Sequence, residues 1–285
     1  TSQNGPIQYA RFHRAIAEWG FRPRVKMMLG MEGFRKLQRG EWIPSNDGSG
    51  PSLGAVKIMI DEVSGRLNPP QPELNEMVLE AHRAGFQVAL HAIEANTVEA
   101  AITAIEYALR KLPKRDHRHR IEHGAECPPP LLERIARSGT VMVTQPAFLY
   151  YSGERYLATV EPCRLPWLYR IGSWHRAGLT VAAGSDAPVV PLDPPIGIYG
   201  AVTRKGPGGG EFFPEESIPP DQALRMYTLG AAQAAFEEEM KGGIAPGKLA
   251  DLVILSADPL RAPSEELKDI RVDWTILGGR IVWER

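Results

Sequence analysis

Four side chains carry the chemistry that this sequence offers most plainly. Lys57 lies within AVKIMID, His91 sits in VALHA, His123 in HRIEHG, and Asp186 follows VAAGS. Neutral imidazole nitrogens and a carboxylate are the usual ligands of a catalytic zinc or a similar divalent ion. Such an ion lowers the pKa of its bound water to about 7 and polarises a carbonyl. A carboxylate beside that water takes its proton and passes it to a leaving group. Lys57 fits the set only as a neutral amine or as a carbamate, whose oxygens are ligands, because an ammonium repels a cation. Each residue also has a plainer reading alone: a core histidine at a strand end, a Gly-Ser-Asp turn or helix cap, a solvated strand lysine. The four in this order are what argues for a shared task.

Groups so far apart in sequence meet only if the elements between them return the chain to one place. Lys57, His91 and His123 follow one another at the roughly 30-residue spacing of one βα unit, and Asp186 comes two such units later. Short apolar or β-branched runs at 24–29, 55–60, 87–91, 119–123, 140–144 and 180–183 predict strands. Helical patterns at 72–84, 97–111, 129–138 and 166–177 lie between them, and 220–239 reads as one long helix or two. Gly85, Gly139 and Gly178 each follow a helical pattern and precede a strand, as C-terminal stops do. Strand and helix in alternation indicate a parallel α/β fold, where ligands bind at the carboxyl ends of the strands. The last part changes character: 250–255, 274–277 and 280–284 predict strands with little helix, and Gly278–Gly279 reads as a hairpin turn. The domain reading is therefore 1–242 for the α/β part and 243–285 for a small antiparallel portion.

Composition narrows the function class. A net charge of −1 gives no electrostatic footprint for nucleic acid. With 43% hydrophobic and 24% charged residues the chain funds a core and is not disordered. No apolar run approaches the roughly 18 residues of a membrane span. Two cysteines, Cys127 and Cys163, make no disulfide framework, so a reducing, cytoplasmic setting is expected. Gly and Pro cluster at 45–51, 68–72, 128–130, 188–195 and 206–210, where they punctuate the elements. A small-molecule substrate is the expected partner, and a homo-oligomer stays open.

Longer phrases point further. VALHAIEANTVEAAITAIE, HRIEHG, TQP, GSDAPV, AVTRKG, GKLADLVILSADPL and the terminal VDWTILGGRIVWE resemble the amidohydrolase superfamily, in its amidohydrolase-3 branch of metal-dependent hydrolases, which includes N-substituted formamide deformylases. The resemblance covers about residues 55–285. It implies a TIM (β/α)8-type barrel beside a small β-sandwich, to which the C-terminal strands belong. It implies that His91 and His123 are metal ligands at the ends of barrel strands five and six. Lys57 resembles the strand-four lysine, which is carboxylated to bridge two metals. Asp186 resembles the strand-eight aspartate, which binds metal or water and shuttles the proton. Gln145 and Arg204 match polar positions near the mouth and imply substrate-binding or supporting roles. The implied activity is hydrolysis of an amide, formamide or cyclic amide C–N bond by metal-activated water, with one or two divalent ions, zinc foremost.

The sequence also departs from that pattern. The branch carries an HxH motif at the end of strand one, and the only literal HxH here is His117–Arg118–His119. It begins the strand that ends in His123, so about 13 Å of strand separates His119 from that end, and the pair reads as structural. His82 and His175 fall in helical patterns and read as surface or packing residues. With strand three at 24–29, strands one and two have no sequence to form them, and the barrel is expected to be incomplete, the C-terminal portion of a longer enzyme. After strand four the branch has an Asp-Gly-Ser-rich loop, whereas this chain has DEVSGRLNPP. Two alternatives follow. One is a non-catalytic truncated or degenerate fragment that oligomerises or needs a partner. The other is a barrel lyase or isomerase using Lys57 as base or Schiff-base nucleophile.

Overall fold

The computed structural model describes residues 3–19, 23–45 and 50–285. Most of the Gly-rich cluster at 45–51 lies outside the described residues. Six short strands form one sheet in the order β1 (Lys26–Leu29), β2 (Ser52–Met59), β5 (Val88–Ala92), β6 (Arg120–His123), β7 (Val141–Thr144) and β8 (Val181–Ala183). The pairs β1–β2, β2–β5 and β7–β8 are parallel. Strand neighbours in space are neighbours in sequence, apart from one inserted hairpin. That is the parallel α/β architecture expected from the alternation, and its six strands match the partial barrel, from strand three onward, that the resemblance implies.

Packing divides the chain into two compact units, Thr1–Glu122 with Ser138–Thr140, and His123–Arg137 with Val141–Arg285. The first unit holds α1 (Pro6–Trp19), α2 (Met31–Gln38), α3 (Gln71–Arg83) and α4 (Ala95–Lys111). Its strands alternate cleanly. Val56 pairs with Val88 and Ile58 with Leu90, a wholly apolar face; Lys57 pairs with Ala89 and Met59 with His91, the other face. Side chains of paired residues in parallel strands point the same way. After β2 the chain turns through β3 (Asp61–Val63) and β4 (Arg66–Asn68), an antiparallel hairpin formed by the DEVSGRLNPP segment that departs from the branch's loop. Its two-residue turn, Ser64–Gly65, has φ of 52° and 74°, the all-positive geometry that matches strand twist.

The second unit holds α5 (Pro129–Ser138, whose last residue packs with the first unit), α6 (Ala147–Thr159), α7 (Ile171–Arg176) and α8 (Pro194–Thr203). A continuous run follows: α9 (Pro220–Arg225), a π-turn over Met226–Gly230, and α10 (Ala231–Ala234). It realises the expected 220–239 helix in a shorter and wider-wound form. Val141, Val143 and Ala182 pack on Ala231 and Ala234, so Thr144 and Ala183, paired in register, face the opposite way. The buried Glu216 carboxylate accepts from the Ser173 backbone N–H at 2.6 Å and holds the first turn of the short α7. Gly85 and Gly178 close α3 and α7 at φ of 81° and 75°, where a Cβ would be strained. The C-terminal strands β9 (Leu252–Leu255), β10 (Val272–Leu277) and β11 (Arg280–Glu284) make a separate antiparallel sheet, with Gly278–Gly279 as the β10–β11 turn. Among the described residues no helix is long and apolar enough to cross a membrane.

Candidate active site

In the first unit, Lys57 and His91 occupy one face of the β2–β5 pair, two register positions apart along the strands. Lys57 is 6% exposed and His91 half-buried. The opposite face is taken by Val56, Ile58, Val88 and Leu90, so both titratable groups share the face that apolar packing leaves for chemistry.

The second unit holds His123, Gln145 and Asp186. His123 ends β6 with φ of 72°, and Asp186 follows β8 with φ of 56°. A positive φ is costly for any residue with a Cβ, and such backbones concentrate where function fixes them. Gly124, also at positive φ, continues the turn, and a Cβ there would collide with Met142 Cε at 2.3 Å. His123 is buried and its Nδ1 lies 2.7 Å from Gln145 Oε1. An amide oxygen only accepts, so Nδ1 carries the proton and the neutral ring keeps its lone pair on Nε2. Phe148, the second residue of α6, stacks on the His123 ring at 6.4 Å and 16°. Asp186 is exposed, and its backbone carbonyl accepts from Val189 N–H at 3.0 Å.

Around these groups the unit builds an aromatic layer. Tyr169 is edge-on to Phe148 and its hydroxyl lies 3.3 Å from that of Tyr156. Burial, then the neighbouring Tyr156, holds the Tyr169 hydroxyl well above the usual phenol range; Asp186 adds to this. Tyr169 itself sits at φ of 45°, and Arg204 accounts for its stability there. Arg204 is fully buried and donates from Nε to Phe212 O at 2.9 Å, from Nη1 to Tyr169 O at 2.9 Å and from Nη2 to Leu168 O at 3.3 Å. Burial lowers its pKa to about 10, so it stays cationic at neutral pH. The guanidinium thus holds three backbone carbonyls beneath the aromatic layer.

The donor chemistry suits a divalent ion. His123 is held in the tautomer that ligates through Nε2, by the kind of outer hydrogen bond that metal-bound histidines make. The Thr144 hydroxyl, beside Gln145 on the face turned away from α10, is buried without a hydrogen-bond partner. Among the described residues no three His, Cys, Asp or Glu side chains cluster closely enough to make a metal site from those types alone. The structure joins Lys57 to His91, and His123 to Gln145. Sequence reasoning missed Tyr169, while Phe148 belongs to the aromatic stretch after Gln145 that the sequence offers either as a wall or lid over the site or as packing under a loop. Phe148 carried a signal, since it stands three residues after Gln145 in an aromatic-rich stretch; Tyr169 carried none.

Comparison with known proteins decides the family. The sequence profile of the amidohydrolase family matches residues 3–283. This chain belongs to the amidohydrolase family. It is 31% identical over 239 residues to the amidohydrolase YtcJ of Bacillus subtilis, covering 82% of this chain and 42% of that protein. It is 28% identical over 214 residues to the N-substituted formamide deformylase of Arthrobacter pascens, covering 75% and 39%. A metal-dependent hydrolase from Pyrococcus furiosus superposes with a TM-score of 0.75 at 25% identity, covering 91% of this chain and 56% of that one. This amidohydrolase chain therefore spans about two fifths of the length of those two sequence relatives.

Proposed function

We propose that this chain carries a metal-dependent hydrolase centre that cleaves a C–N bond of a small amide, formamide or cyclic amide. The observation that carries the reading is His123, buried at a strand end and held by Gln145 with its lone pair on Nε2. Family membership supports the hydrolase class, and the deformylase relative supports the C–N bond. His91, His123, Lys57 and Asp186 are the residues that would hold one or two divalent ions. Zinc is the metal that this imidazole-rich set favours. Lys57, buried beside His91's strand, serves best as a carbamate, which removes the cost of a buried ammonium. When bound, the ion supplies an acidified water and a polarised carbonyl.

The chain's own residues do the rest. Asp186 takes the proton of the attacking water at its exposed carboxylate and returns it to the departing nitrogen. Gln145 fixes the His123 ring, and Arg204 acts on substrate through the Tyr169 backbone it secures. The setting proposed is cytoplasmic. Asp186→Asn is expected to lower kcat at least a hundredfold on a reactive formamide while the remaining ligands still retain metal, read by elemental analysis. An Asp186→Asn chain with full activity would remove this residue from the mechanism.

The absence of a His, Cys, Asp and Glu cluster among the described residues favours a second reading, a binding-incompetent or partner-dependent chain. It expects far less than one ion per purified chain, the opposite result in the same elemental analysis.

A further inference from the structure

Beside His123 and Asp186 the second unit opens a cavity of about 280 Å³. Phe148, Tyr151, Arg155, Tyr156, Val189 and Val190 line it. Its link to the candidate centre is direct on both sides. Phe148, one wall, is the ring stacked on His123. Val189, another, donates its backbone N–H to the carbonyl of Asp186. Tyr156 reaches the same place through its hydroxyl contact with Tyr169. A group attached to a substrate reacting at His123 and Asp186 would enter this cavity.

The lining says what that group is. Tyr and Phe walls with two valines suit a planar aromatic or branched apolar group. Arg155 is different in kind. Its guanidinium lies over the Tyr156 ring at 5.0 Å from the centroid, which orients the planar fork. None of the ion pairs among the described residues engages Arg155. Asp193, which acts on Tyr151, is committed to the first turn of α8 through Ile196 N–H. An oriented guanidinium above an aromatic wall, without a carboxylate partner among the described residues, is a receptor for a carboxylate on the ligand.

The geometry points to a subsite that selects substrates whose non-reacting half joins an aromatic or branched apolar group to a carboxylate, with Arg155 as the specificity-determining residue. This rests on the hydrolase reading of the centre, and it narrows amides in general to those of apolar amino acids.

The test separates the two ideas by measuring binding and turnover independently. N-formylphenylalanine and N-phenethylformamide share the ring and the scissile bond and differ in the carboxylate. Titrated by protein fluorescence into the full 285-residue chain, the first is expected to bind about tenfold tighter, the worth of one partly exposed charge pair. Arg155→Gln should bring the ratio to about one without changing affinity for N-phenethylformamide, and Arg155→Lys should restore part of it. Equal affinities in the wild type, a preference that survives Arg155→Gln, or no binding of either compound would overturn the subsite. A carboxylate preference in binding with no hydrolysis of either compound would leave the subsite standing and count against the hydrolase reading.

Discussion

Imidazole ligates a metal through a ring nitrogen whose lone pair is not spent on a proton, so the second nitrogen's partner decides whether the residue is useful. At His123 that partner is the Gln145 amide oxygen, 2.7 Å from Nδ1. Gln145→Leu removes the acceptor at similar size, and is expected to weaken metal affinity 10- to 100-fold, the usual cost of losing such a support. Competition with a coloured chelator reads the affinity. Nitrogen chemical shifts of His123 read the tautomer, and an unchanged Nδ1–H form in Gln145→Leu would mean that another group sets it. The pairing was half legible: TQP marked Gln145 as polar at a strand end, but which atom it meets depends on the β6–β7 neighbourhood. Arg204 was legible only in part: its position in AVTRKG implied a substrate-binding or supporting role, but nothing local reports that three carbonyls have enclosed it.

At the scale of elements, the amino ends of β5 and β6 hold a second histidine cluster, at the opposite strand end from His91 and His123. His82 on α3 places Nδ1 2.8 Å from His119 Nε2 and Nε2 2.7 Å from Leu112 O. His119 Nδ1 accepts from Val88 N–H at 3.1 Å. His117 Nδ1 accepts from His119 N–H at 2.9 Å, and its Nε2 meets Ser138 O at 2.8 Å. One assignment satisfies every ring nitrogen: all three rings neutral, each with its proton on Nε2. An added proton would set N–H against N–H. Burial, then the neighbouring histidines, pushes His119 down to about 2, and burial also lowers His117. The charged groups that act on the cluster, Lys114 and Asp116, oppose each other. Unfolded histidine titrates near 6.5. The cluster's stabilisation is therefore complete above pH 6.5 and lost as pH falls from 6.5 toward 2, because only the unfolded chain takes the proton. The unfolding constant should rise up to tenfold per pH unit for each such histidine. His119→Gln keeps an acceptor for Val88 and a donor for His82 without titrating. Urea midpoints between pH 7 and 4.5 should fall less steeply in that variant, and an identical slope would show that His119 is not among the groups responsible. The HxH pair was read as structural and lies in the buried cluster, while His82, left between surface and packing, is buried. Its partner sits on another element, so no periodicity foretold the contact. The strands were legible as short apolar or β-branched runs, three of them after the glycine stops Gly85, Gly139 and Gly178; α6 was not, because its Phe, Leu and Tyr residues lack a stripe of one period.

For the whole molecule the balance to strike is between burial and solubility, and the C-terminal sheet leaves it unsettled. Register sets Val253, Thr275 and Trp283 in one row and Ile254 beside Trp274 in the row on the opposite face. Val253, Ile254, Trp274 and Trp283 are all substantially exposed, and β11 is an edge strand with every residue open to solvent. Contiguous apolar surface on an open edge is an association site unless charge opposes it. A net charge of −1 opposes it weakly. The chain is therefore expected to self-associate at micromolar concentrations, read by light scattering across a dilution series. Trp283→Lys and Trp274→Lys each put a cation on one face and should shift the series toward monomer. The two origins of association differ in their response to salt. Pairing through charge weakens as salt screens it, whereas apolar association persists and strengthens in sulfate. A dimer that dissolves in moderate sodium chloride and ignores both tryptophan substitutions would place the contact elsewhere. One that survives salt and yields to Trp283→Lys assigns it to the β11 edge.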